Sequence, residues 1–173
     1  MMKLVLAVMV GVALLVPRIA DACGYWKMQD EEKSYQIGFH INSGTITKDQ
    51  RKVAFIYLDE AKTGLRSVRE RKVVFDVKNG KLTKYGKAIA TINADGSVAF
   101  GKRVYTIQFS NQHDYHGMPA WDLLVERDGA RVVSSKEATA LCMQGQKTAT
   151  EEQMQNEVRR RVMFYLAWRE TGA

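Results

Sequence analysis

Along most of this chain, apolar residues recur at every second position. Tyr35, Ile37, Phe39 and Ile41 alternate with Gln36, Gly38 and His40, the period of a strand with one buried face. The same period returns at Val73-Phe75-Val77, Ala88-Ala90-Ile92, Tyr105-Ile107-Phe109 and Trp121-Leu123-Val125, and Val132-Val133 closes the series. Val53 to Leu58 is apolar throughout, as in a strand covered on both faces. Asn79-Gly80, Asp95-Gly96 and Asp128-Gly129 separate these runs and tolerate the positive φ of tight hairpins. Asn42-Ser43-Gly44 is a further turn candidate. Residues 23–33 read as polar and irregular, and 59–70 and 110–119 as long loops. The pattern predicts an antiparallel meander of about eight strands, barrel-like or strongly curved.

Toward the C-terminus the period changes. Ser135 to Leu141 is compatible with a short helix. Thr150 and Gln153 have the spacing of a capping box, and Glu151 and Glu152 suit the positive end of a helix dipole. Met154, Val158, Val162, Tyr165 and Leu166 share one face of a helix reaching about Glu170, with Gly172 as its stop. Residues 162–168 are apolar on every side, so this helix must be buried. The fold class is therefore mainly β with a C-terminal helix at about 150–170 packed on the sheet, an α+β arrangement.

The N-terminus carries another kind of apolar pattern. Lys3 precedes an unbroken apolar or small run from Leu4 to Val16, and Ala20-Asp21-Ala22 follows. This is the layout of a secretory signal, and the run is too short for the roughly 20 residues that span a bilayer. Residues 1–22 are thus expected to be removed, leaving 23–173 as one domain, periplasmic or secreted. In an oxidising compartment Cys23 and Cys142 are expected to pair. The alternative is a lipid on Cys23, which would hold the protein at a membrane.

The formal net charge of +7 falls to +6 once Lys3, Arg18 and Asp21 leave with the signal. Such an excess suits solubility, and equally an anionic partner. Lys78, Lys81, Lys84 and Lys87 recur across one predicted hairpin, behind Arg66, Arg69, Arg71 and Lys72. Lysines also protect sheet edges from unwanted pairing. Too few aromatic residues interleave with them to suggest stacking on nucleic acid bases.

Signatures of catalysis are missing: no Gly-x-Ser-x-Gly, no phosphate-cradling glycine loop, no His-Glu-x-x-His and no Cys-x-x-Cys. His113-Asp114-Tyr115-His116 is the one cluster with metal-ligand chemistry, offering two imidazoles and a carboxylate, with His40 as a conceivable third nitrogen. Gly24-Tyr25-Trp26 resembles the Gly-x-Trp with which lipocalins begin their barrel. That resemblance implies a Trp closing one barrel end and a pocket for an apolar ligand at the other. The expected function is a non-enzymatic binding or accessory domain for a protein or anionic envelope partner, requiring no cofactor. A lipocalin-like carrier of a small apolar ligand is the alternative. A metal-assisted hydrolase using His113, Asp114 and His116 is the third.

Overall fold

A computed structural model describes residues 25–40, 43–57, 64–67, 75–140 and 149–172. Twelve strands form one antiparallel sheet. The first half comprises β1 (Trp26–Asp30), β2 (Gln36–His40), β3 (Ser43–Lys48), β4 (Arg51–Tyr57) and β5 (Gly64–Ser67). The second comprises β6 (Phe75–Lys78), β7 (Lys81–Lys84), β8 (Lys87–Ile92), β9 (Val98–Phe100), β10 (Arg103–Tyr115), β11 (Met118–Arg127) and β12 (Ala130–Thr139). Each half is a meander, and the β1–β12 ladder joins them, pairing Gln29 with Ser134 and Asp30 with Val133. The free edges are β5 and β6. No ladder joins them among the described residues, so the sheet is not closed.

Twelve strands replace the expected eight, for local physical reasons. Within the segment 23–33, Trp26–Asp30 is not irregular but forms β1, with Trp26, Met28 and Asp30 all facing inward. The polar Asp30 in the third of those positions hides the alternation. Most of the expected loop at 110–119 is strand, since β10 and β11 continue past a bulge between Ser110 and His113 and turn only at His116-Gly117. Ser135–Thr139 is not helical but completes β12, laddered to β11. The leader, Cys23, Cys142, Arg69, Arg71 and Lys72 lie outside the described residues.

The single described helix, α1 (Glu151–Thr171), starts and stops as its sequence predicts. The Thr150 hydroxyl accepts from Gln153 N at 3.2 Å, and Gln153 Oε1 accepts from Thr150 N at 2.8 Å. Gly172 ends it in the left-handed region at φ 63°, its N–H donating to Trp168 O, a conformation glycine adopts without a Cβ penalty.

α1 explains the curvature of the sheet. Phe164 stacks with Phe75 on β6, while Trp168 meets Tyr35, just ahead of β2, edge-on. β2 and β6 are eight strand-to-strand steps apart, about 38 Å in a flat sheet. A helix is only about 10–12 Å across with its side chains, so the sheet must curl around it. Val158, Val162, Phe164, Tyr165, Leu166 and Trp168 join Trp26, Phe39, Ile56, Leu82 and Val125 in one core. Trp26, the aromatic of the Gly-x-Trp pattern, is fully buried against Phe39 at 4.7 Å. The interior that a carrier would keep open is occupied here by α1.

Candidate binding groove

The histidine cluster is dispersed in the structure. His113 is exposed on β10 and donates from Nδ1 to Asn111 O at 2.8 Å. Asp114 Oδ1 accepts from Gly117 N, closing the hairpin turn. His116 occupies that turn at φ 53°, its ring 4.5 Å from Tyr115. His40 ends β2 with its ring 4.7 Å from Tyr25. Among the described residues, no three His, Cys, Asp or Glu side chains are grouped to hold a metal ion. The lysines also separate. Lys78 and Lys81 flank the Asn79-Gly80 turn, while Lys84 and Lys87 flank Tyr85-Gly86 at the other end of β7.

Buried charge gathers instead at the C-terminal end of α1. Asp30 Oδ2 accepts from Arg169 Nε at 2.7 Å and from the Tyr165 hydroxyl, and Oδ1 accepts from the backbone of Glu32 and Lys33. Arg169 also donates to Tyr105 Oη, Glu170 and Glu32. Burial opposes its charge, but the bonds to Asp30 and the charge of Asp30 outweigh that and raise its pKa. Burial first, and then the bond to Asp30, pushes the Tyr165 phenol well above its ordinary value. These groups satisfy one another and fasten α1 to β1 and β10. Their chemistry is structural.

The opposite half of α1 borders an open groove of about 570 Å³. Glu152, Gln155, Asn156, Arg159, Arg160 and Met163 line one wall, spaced three and four apart as on one helix face. The other wall is the turn Asn93–Gly96, and Val77, Ile92 and Met163 supply apolar surface. The turn is firmly built. Asn93 N donates to Ser97 O, Gly96 N donates to Asn93 O, and both Ser97 N and its hydroxyl donate to Asp95 Oδ1. Those two bonds hold the Asp95 carboxyl below its ordinary pKa. Gly96 has φ 82°, and a Cβ there would lie 3.5 Å from Arg159 Nε. The positive φ is what calls for glycine here, since a Cβ would make only ordinary contact with the guanidinium.

Arg159 is the distinctive group of this groove. Its Cζ lies 5.0 Å from the centre of the Phe109 ring, and Nη1 donates to Asn156 Oδ1 at 2.8 Å. Its Nε is buried and has no acceptor. Neighbouring Arg160 and Arg161 both pair with Glu157, at 3.2 and 3.0 Å. Burial pushes the Arg161 guanidinium down to about 10, against the charge of Glu157, so it remains a cation near neutral pH. Among the described residues Arg159 has no carboxylate partner. Among the described residues Asn156 takes Nη1 and Nε is covered, so Nη2 is the donor left to a carboxylate or phosphate oxygen.

Both walls are visible in the sequence, as the Asp95-Gly96 turn and the arginines 159–161, but their meeting is not. Roughly sixty residues separate them, and only the curled sheet brings them together. Comparison with family models, with curated proteins and with solved structures finds no match to this chain.

Proposed function

We propose that this chain is an exported, non-enzymatic binding domain whose partner presents negative charge to the groove between α1 and the Asn93–Gly96 turn. The observation that carries this reading is Arg159, which lines an open groove and, unlike Arg160 and Arg161, has no carboxylate partner among the described residues. The net charge of +6 that remains without Lys3, Arg18 and Asp21 adds long-range attraction for the same kind of partner. A small-ligand carrier has less support, because Phe164, Tyr165 and Trp168 occupy the concave side of the sheet.

The groove favours a protein partner over a lipid surface. Gly96 and Arg159 face each other across the groove, so a partner meets the guanidinium by projecting a side chain between the two walls. Equilibrium binding to poly-L-glutamate and to phosphatidylglycerol vesicles tests this. Binding to the polymer that weakens with salt and with Arg159→Gln is the expected result. Binding to vesicles alone, unaffected by that substitution, would contradict it.

A further inference from the structure

We infer that the groove reads a short extended peptide segment in which an acidic residue and an aliphatic residue stand two positions apart. The inference rests on the binding-domain reading above and adds the register of the occupant. From Glu152 to Met163 the lining follows α1 for eleven residues, about 16 Å at 1.5 Å each. An extended chain rises about 3.3 Å per residue, so about five residues span the groove.

The chemistry of the lining changes along that length. At the middle, Nη2 of Arg159, the guanidinium nitrogen that is neither covered nor bonded among the described residues, takes a carboxylate oxygen. One turn further, Met163 with Val77 and Ile92 forms an apolar floor. Arg159 and Met163 are four residues apart on one helix face, about 6 Å along the axis. Two residues of an extended chain cover about 6.6 Å and place both side chains on the same side. A carboxylate on Arg159 therefore sets an aliphatic side chain two positions away over the floor.

At the other end Glu152 is exposed, and Glu151 takes the Gln155 amide at 3.0 Å. A second acid is disfavoured there, and a basic residue is favoured. The intervening positions face solvent, and the Asn156 Nδ2 group, which has no acceptor among the described residues, is available to a main-chain carbonyl. The expected segment is acidic–x–aliphatic, in whichever chain direction seats it, with a basic residue favoured toward Glu152.

An NMR titration of the ¹⁵N-labelled exported protein with acetyl-Lys-Ser-Glu-Ser-Leu-amide, and with the reversed sequence, tests this. Shifts should concentrate on Gly96, Asn156, Arg159 and Met163 for one of the two peptides. Replacing its glutamate by glutamine should weaken binding at least tenfold, and replacing its leucine by serine severalfold. Shifts absent from the groove, or equal affinities for the glutamate and glutamine peptides, would overturn the inference. Arg159-dependent binding of poly-L-glutamate with no gain from leucine would overturn this register and leave the binding-domain reading standing. Failure of every probe would remove both.

Discussion

Asp30 and Arg169 meet through Oδ2 and Nε at 2.7 Å, across 139 residues of sequence, where each side chain is almost completely buried. The contact joins the central strand β1 to the last turn of α1. Removing one partner of such a pair leaves the other charge buried, at a cost of about 3–5 kcal/mol. Arg169→Met should therefore lower the free energy of unfolding by about that amount, measured by urea denaturation. Tyr165→Phe removes one neutral donor to the same carboxylate and should cost less, about 1–3 kcal/mol. A loss below about 1 kcal/mol in Arg169→Met would mean that the pair does not fasten the helix.

Stability should fall at both ends of the pH scale because of this cluster. Burial opposes the charge of Glu170, but bonds from Tyr105 and Arg103 and the charge of Arg169 outweigh it and hold its pKa low. A carboxylate depressed by folding contributes stability above its unfolded value of about 4.3. That contribution is lost as the pH falls through the folded value. Burial and bonds to carboxylates raise the phenols of Tyr105 and Tyr165. Their contribution is complete below about pH 10 and is lost as the pH rises past it. The urea midpoint should be level between about pH 5 and 9 and decline on both sides. Glu170→Gln should flatten the acid limb, and an unchanged acid limb in that variant would refute the assignment.

Asp30 also shows why part of the fold escapes sequence reading. A strand is recognised by alternating apolar residues, and an inward-facing carboxylate breaks that signal unless its distant partners are known. Thus β1 reads as irregular although Trp26 and Met28 belong to the core. The short strands β7 and β9 and the exposed tip of the β10–β11 hairpin carry too few apolar residues to announce themselves. The turns, by contrast, are chemically explicit. Asn79, Gly80, Gly96, Asp128 and Gly129 all have positive φ. α1 is equally legible, since its caps and its all-round apolar segment are both local features. The groove is the least legible part, because its walls come from two segments whose meeting depends on the curvature of the whole sheet.

Cys23 and Cys142 should be bonded in the exported protein. The described residues next to them lie at one end of the sheet. The Tyr115 hydroxyl donates to Tyr25 O at 3.0 Å, Tyr115 pairs with Met118, and Ala120 pairs with Thr139. On the chain-entropy model a bridge closing about 120 residues contributes nearly 5 kcal/mol. Intact mass should show loss of residues 1–22 and of two hydrogens. A mass gain matching a diacylglyceryl group on Cys23 would instead establish a lipid anchor.

A chain ending at Ala149 should fail to fold. Phe164, Tyr165 and Trp168 are all buried on α1, and each such side chain contributes about 1.5–3 kcal/mol against a total of roughly 5–15 kcal/mol. Circular dichroism and gel filtration should show an unfolded or aggregated product. A soluble monomer with cooperative thermal unfolding would show that the sheet holds its curvature without the helix.

The central claim is that one cation in the groove, rather than the basic surface as a whole, receives the partner. The most direct measurement compares Arg159→Gln with Lys102→Gln, an exposed site outside the groove, in binding to poly-L-glutamate by calorimetry. Both substitutions lower the net charge by one. Arg159→Gln should weaken binding at least tenfold, while Lys102→Gln should change it by less than twofold. Equal losses in the two variants would show that the attraction is diffuse and that the groove is not the binding site.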